Sequence, residues 1–396
     1  MHNNLIKFHR IFNTCLVILS IFVFASCKET AKSSLKEEDK NKSQDYHSYQ
    51  NKNFHSVVDV KPVSDGQVKN IILMIGDGMG LAQIFSGITA NKGHLNIEKT
   101  THIGFSKTHS SSHYITDSAA AGTAISTGKK TYNKAIGVDD DKNKIKTILE
   151  IANENGLGTG LVSTSTIVHA TPASFISHQP NREMYEEIAK DFLDTDINVV
   201  IGGGRDSFNK RKDDINLLEK FRKKGYEVVE TQKDMESVNS GRLLALLSPG
   251  HMDRYSKRGD VLVNSSLKAI ELLNKEEKGF FLMIEGAQID WGGHSNDISL
   301  VVEEMLDFDR AIGEVLKFAE KDKNTLVIIT ADHETGGLSI HDGDHDGRLE
   351  STFASKEHTS IMVPVFAYGP KSEVFKGFYQ NTEIFKKMIE AYGDLK

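Results

Sequence analysis

Cysteine is nearly absent from this chain. Among 396 residues only Cys15 and Cys27 carry thiols, both near the N-terminus. Removal of a leader before Cys27 would leave one thiol, so no internal disulfide could form. An exported chain of this kind must draw its stability from a large core or from bound metals. A basic stripe is absent as well. Lys and Arg total 48 against 55 Asp and Glu, for a formal net charge of -7 at pH 7. Nothing here neutralises a run of phosphates, so no nucleic-acid partner is expected. No internal repeat occurs, and no apolar run has the length and flanks of a membrane-spanning helix.

What is present begins with a leader. Lys7 and Arg10 precede the apolar run IFNTCLVILSIFVFAS, which ends at Cys27 and gives way to polar sequence. That order reads as a secretion signal over residues 1–26. Phe24-Ala25-Ser26-Cys27 resembles a bacterial lipobox, which implies cleavage before Cys27 and its acylation. A plain signal peptide with a chance cysteine is the other reading. The expected location is outside the cytoplasm, periplasmic or at the cell surface, as a membrane-anchored lipoprotein. Residues 27–66 are rich in Lys, Glu, Asp, Ser and Asn. Few apolar side chains are there to offset ordering entropy, so a flexible tether is expected.

From residue 67 the pattern changes. NIILMIGDG, TGLVSTST, INVVIGGG, GFFLMIEG, TLVIITADHE and IMVPVFAYGP are short and almost continuously apolar. Buried strands of a parallel sheet read this way. Helical patterns lie between them. In the clearest, Ile298, Val301, Met305, Phe308, Ile312, Val315 and Ala319 recur every three or four residues after a cap at Asn296 or Asp297. The fold class expected is α/β: a doubly wound, mostly parallel central sheet with helices on both faces. Residues 67–396 are taken as one domain, with a less regular insertion around 206–260.

Ligands of open α/β sheets sit beyond the carboxyl ends of the strands. There the sequence places Asp77, then Glu285 and Asp290, then Asp332 and His333, with His169 and Thr171 after a fourth run. Crowded carboxylates repel one another, and divalent metals are the natural compensation. Each motif also has a plainer reading. GDGMG (76–80) could clear space for Asp77, form a dinucleotide loop, or be a tight turn. Asp290 and His294, four apart, can share one helical face, although Gly292 and Gly293 argue against a regular helix. His358 alone would pass for a surface or core histidine.

Asp117 suits a helix N-cap before the helix-compatible SAAAGTA. Ser118 would then stand at the positive end of a helix dipole, a place that favours an anion. A neighbouring metal can activate a serine without a histidine base. The pattern is not G-x-S-x-G, so the nucleophile elbow of α/β-hydrolases does not fit.

Taken in order, GDGMG, TDSAAAGTAISTG, HATPASF, EGAQIDWGGH, TADHE and EHTS resemble the metal-dependent alkaline phosphatases of the bacterial type. The resemblance runs from about Asn70 to Tyr392. It implies that Ser118 becomes a phosphoserine and that Arg182, in HQPNR, clamps phosphate with its planar fork. It implies that Asp290, His294 and His358 hold one zinc, and that Asp77, Asp332 and His333 hold a second. Asp77 would also bridge to a third site, usually magnesium, with Thr171 and Glu285. The implied substrates are phosphate monoesters, and the resemblance admits a homodimer.

Two positions near the second shell of ligands depart from one well-known version of the pattern. His169 stands where some members have aspartate, and Trp291 where some have lysine. That puts the identity of the third metal in question. The acidic loop HDGDHDGRLE (341–350) opens like a calcium loop, but Phe353 stands where the closing acid belongs. It is read as solvated. A sulfatase would need a C/S-x-P-x-R setting, which SAAAG lacks. The alternative outside catalysis is an inactive phosphate- or metal-binding lipoprotein.

Overall fold

All six apolar runs become strands of one ten-stranded sheet. The computed structural model describes residues 45–393, and these fall almost wholly within one compact unit, Tyr46–Lys396. The leader, Cys27 and the tether up to residue 44 lie outside the described residues. The expected runs are β2 (Asn70–Gly76), β4 (Gly158–Thr166), β5 (Val199–Gly203), β8 (Phe280–Gly286), β9 (Thr325–Thr330) and β14 (Val363–Tyr368). They are joined by β3 (His102–Lys107), β6 (Tyr226–Val229), β7 (Arg242–Leu246) and β15 (Gly377–Gln380), which were not read from the sequence. The order is β15-β3-β14-β9-β2-β8-β4-β5-β7-β6.

Every pairing in this sheet is parallel except those of β14, which runs against β3 and β9. The reason lies in the connection. Between β9 and β14 no helix crosses back over a face; the chain makes only β10 (Glu334–Thr335), the hairpin β11 (Leu338–Gly343) and β12 (Arg348–Phe353), and β13 (His358–Thr359). A strand entered without a crossover must return antiparallel.

Alternation splits the interior into two cores. Ile72 and Met74 of β2 pack on one face with helix Ile298–Asp322, while Ile71, Leu73 and Ile75 pack on the other with helices such as Ile148–Glu154 and Thr382–Tyr392. Helix Ile298–Asp322 starts at Asp297, whose carboxylate accepts from the N–H groups of Ser299 and Leu300. Its seven expected core residues are all buried. It stops at Lys323, which turns left-handed at φ 63°. Removing a buried ring such as Phe308 would cost about 3–5 kcal/mol.

Two expectations need correction. The tether was expected to run through residue 66, yet β1 (His47–Gln50) pairs antiparallel with β12. Beyond it, Asn51 donates to Ala90 O, His55 Nε2 lies 2.7 Å from Asp309 Oδ2, and Val58 N donates to Asn96 Oδ1. Polar groups of the body order this arm, which composition alone does not reveal. The region 206–260, expected as a less regular insertion, joins the central sheet through short helices and two strands. It supplies β6 and β7, which extend the sheet edge. Among the described residues no helix is long and apolar enough to cross a membrane.

Candidate active site

The parallel register brings the acids together. Ile75 of β2 is level with Glu285 of β8 and Thr330 of β9, and Ser163 of β4 is level with Glu285. Asp77 and Asp332 each lie two residues beyond their level partners, so neighbouring strands end in neighbouring carboxylates. Asp77, Glu285, Asp332 and His333 are fully buried, and Asp290 nearly so. The turn after β2 needs glycine at Gly78: its φ is +74°, and a Cβ there would lie 2.7 Å from Asp290 Cα. Its N–H donates to Asp332 Oδ1 at 3.2 Å. Among the readings of GDGMG, space for Asp77 fits this arrangement.

Asp290 and His294 do share a helix, Ile289–Ser295, despite the two glycines. A Cβ on Gly292 would lie 2.7 Å from Val301 N, so the close approach of the next helix requires glycine there. His294 Nε2 is 3.4 Å from Asp290 Oδ1 and 3.1 Å from His358 Nε2. His294 Nδ1 donates to Lys356 O, and His358 Nδ1 to Thr116 O at 2.8 Å. Carbonyls only accept, so both rings carry their N–H at Nδ1. The two Nε2 atoms then face each other, beside a carboxylate. Burial, then the charge of His333, pushes His358 down to about 4, so that ring is neutral. A cation between them, a proton or a metal ion, would make such a geometry favourable.

The second cluster repeats the logic. Thr335 Oγ1 donates to Asp290 Oδ1 at 2.5 Å, so its 3.2 Å contact with His333 must accept from Nδ1. That leaves His333 Nε2 facing Asp332 Oδ2 at 3.1 Å, Asp77 Oδ1 at 3.5 Å and Ser118 Oγ at 3.2 Å. Asp77 Oδ1 and Asp332 Oδ2 are buried and accept no hydrogen bond. Burial alone would lower His333, but the Asp332 charge raises it. The field that draws a proton to this spot also suits a metal.

Asp77, His169 and Glu285 form a third group, with one ligand atom from each within 4.8 Å of the others. Thr171 Oγ1 donates to Asp77 Oδ2 at 3.5 Å. His169, expected behind the ligands, thus stands beside them. Ser163 and Ser165 donate to Glu285 Oε2, while Oε1 is buried without a partner. Burial pushes Glu285 up to about 7 despite these hydroxyls. Asp77 is raised well above the usual carboxylate range by burial and then by Asp332, Asp290 and Glu285.

Ser118 opens helix Ser118–Thr127, capped by Asp117, whose Oδ1 accepts from Ala120 N at 3.0 Å. Arg182 Nη1 donates to Asp117 Oδ2 at 3.2 Å, and Nη2 to His169 Nε2 at the same distance. Lys134, left-handed at φ 78°, joins the two: its N–H donates to Asp117 Oδ2 and its carbonyl accepts from Arg182 N. The guanidinium is thereby held, through Asp117, at the N-terminal end of the helix that Ser118 opens. This suits a phosphoryl group with its negative oxygens toward Arg182.

Sequence reasoning missed several of these groups. Thr335, Ser163, Ser165 and the carbonyl of Thr116 carry no motif signal beyond adjacency to a strand end. His251 lies against Trp291 and His169, with ring centroids 4.8 Å and 5.5 Å away. The acidic loop forms the β11–β12 hairpin turn and is solvated as expected, with residues 341–346 exposed. Arg348 bridges Asp342, Asp344 and Glu350 there.

A family model described as "Alkaline phosphatase" matches residues 68–347. Alkaline phosphatase 3 of Bacillus subtilis (strain 168) is 37% identical, across 85% of this chain and 91% of that protein. The alkaline phosphatase of Escherichia coli (strain K12) is 32% identical, across 84% and 87%. The solved alkaline phosphatase from the Antarctic bacterium TAB5 shares 42% identity, covers 83% of this chain and 98% of its own, and superposes with a TM-score of 0.78. A variant of that enzyme with histidine replaced by glutamate has Mg bound in its M3 site; at the same identity and coverage it superposes with a TM-score of 0.79.

Proposed function

The chain belongs to the alkaline phosphatase family, and from that premise we propose that it hydrolyses phosphate monoesters through a phosphoserine at Ser118. Two zinc ions and a third metal, magnesium by resemblance, would assist. The observation that carries the reading is the convergence of imidazole lone pairs and unpartnered carboxylate oxygens beside Ser118 Oγ. Asp290, His294 and His358 would hold one zinc, and Asp77, Asp332 and His333 the other. Asp77, Thr171 and Glu285, with His169 beside them, would hold the third metal. When bound, the ions supply the positive charge that acidifies hydroxyls and offsets phosphoryl charge.

The chain's own groups do the rest. Arg182, braced by Asp117, takes two phosphoryl oxygens and turns the phosphorus toward Ser118. The serine oxygen forms a bond to phosphorus as the ester bond breaks in line, and the alcohol leaves with a proton. Water then cleaves the phosphoserine, releasing inorganic phosphate and restoring the hydroxyl. Recognition falls on the phosphoryl group, so broad substrate scope is expected.

The test is hydrolysis of p-nitrophenyl phosphate against the sulfate and bis-ester analogues, with and without zinc. Preference for the monoester with zinc supports the reading. Preference for the sulfate or bis-ester points to a related hydrolase, and binding without turnover points to an inactive lipoprotein. Ser118→Ala should abolish the labelled phosphoserine peptide while some hydrolysis by water survives. Near-normal turnover in that variant would refute Ser118 as the nucleophile. We also read the enzyme as exported and anchored through acylated Cys27; the family resemblance admits a homodimer. Leu81, Phe85 and Ile103 are 49%, 54% and 50% exposed, apolar side chains that a second copy would cover.

A further inference from the structure

His251 stands between β7 and helix Tyr255–Arg258, outside every motif read from the sequence. Its segment is firmly tied. Gln288, two residues before Asp290, donates to Met252 O at 3.1 Å and to Asp253 O at 3.3 Å. Tyr255 N donates to Glu304 Oε1 at 2.7 Å. Arg258 Nη2 reaches Glu304 Oε2 and Asp307 Oδ2, each at 2.6 Å, and both acids are buried. Ion clusters removed from water add little net stability, and fixing geometry is their best-attested use. This one secures the His251 segment to helix Ile298–Asp322.

The ring is fixed too. Thr166 N donates to His251 Nδ1 at 3.1 Å, so the ring proton sits on Nε2. Burial lowers the pKa of His251, which keeps the ring neutral. It meets Trp291 edge-on at 87° and His169 at 79°. His169 accepts from Arg182 through Nε2, while its Nδ1 is buried without a partner. A half-turn of the His169 ring would put Cε1 where Nε2 stands and take the acceptor away from Arg182. The edge contact with His251 opposes that turn.

We propose that His251 is a positioning residue. It fixes the orientation of His169, and through it the Arg182 guanidinium, and so sets how tightly inorganic phosphate and the third cation are held. The proposal rests on the phosphatase reading above.

Trp291 is the only tryptophan in the chain, so its fluorescence reports on this ring cluster. The test uses the full metal-loaded chain, inorganic phosphate as ligand, and the variants His251→Ala and His251→Phe. His251→Ala should shift the Trp291 emission. It should weaken phosphate binding by calorimetry about 10-fold, as is common when a group that orients metal ligands is lost. Elemental analysis should show the third metal depleted and the two zinc ions retained. His251→Phe keeps a ring edge against both neighbours and should restore most of the phosphate affinity. Unchanged phosphate affinity in His251→Ala would overturn the proposal, and so would loss of all three metals together. A wild type that binds no phosphate would refute the phosphatase reading and the proposal with it, an outcome distinct from failure of the variants alone.

Discussion

Stripping the metals with a chelator should make this protein less stable as the pH rises. The floor of the site then holds four buried acids, Asp77, Glu285, Asp290 and Asp332, against few cationic groups. Burial sets Glu285 at about 7 where 4.5 is ordinary, and Asp77 is raised as well. Both pKa values are higher in the folded chain than in the unfolded one. The stabilising contribution is therefore complete below the unfolded values and is lost as the pH climbs through the folded ones. For Glu285 alone, moving from 4.5 to about 7 amounts to about 3 kcal/mol. Metal-saturated protein escapes this loss, because its carboxylates are already charged and paired with cations.

The assay is thermal unfolding of chelated and metal-saturated protein across the pH range. The chelated protein should lose several degrees between mildly acidic and alkaline buffer, with most of the change near neutrality. Chelated Glu285→Gln should lose much of that slope, since the amide cannot titrate. A chelated wild type whose melting temperature is flat or rising over this range would refute the reasoning. So would a Glu285→Gln variant that keeps the full slope.

Three further outcomes follow from the same structure. His169→Asp should replace nitrogen with oxygen beside Asp77 and Glu285, shifting the third site toward magnesium; elemental analysis after competition with zinc checks this, and unchanged occupancy would refute it. Cys27→Ser should release active enzyme into the soluble fraction, because acyl chains contribute about 0.8 kcal/mol per buried CH₂ to membrane binding; equal membrane association would exclude the anchor. Asp307 is pushed up to about 7, chiefly by burial, so its stabilising contribution is lost as the pH rises through that value. The melting temperature of Asp307→Asn relative to wild type should therefore rise from acidic to alkaline buffer, and a constant difference would refute that.

The acids were legible because each follows a buried apolar run, and strand ends on one edge of a parallel sheet need no long-range information to be grouped. Asp77, Glu285 and Asp332 illustrate this: pattern alone sends them to the same edge, and the register then fixes the spacing. Ser118 was legible for a similar reason, since its cap and helix are local. Other features depended on partners far away in sequence. The arm at 46–66 looks unstructured by composition, yet Asp309 and Asn96 order it. Helix Ile289–Ser295 looked doubtful because each glycine costs about 1 kcal/mol in a helix. Tertiary packing overrides that cost, because only glycine lets Val301 approach. His251 marks where reading ends. Nothing periodic surrounds it, and its role depends on Thr166, His169 and Trp291, which lie on two segments remote from it in sequence. Local pattern thus predicts which groups reach the site. The rotation of each ring is set by contacts that only the assembled fold contains, and that rotation decides whether a ring nitrogen or a ring carbon faces each neighbour.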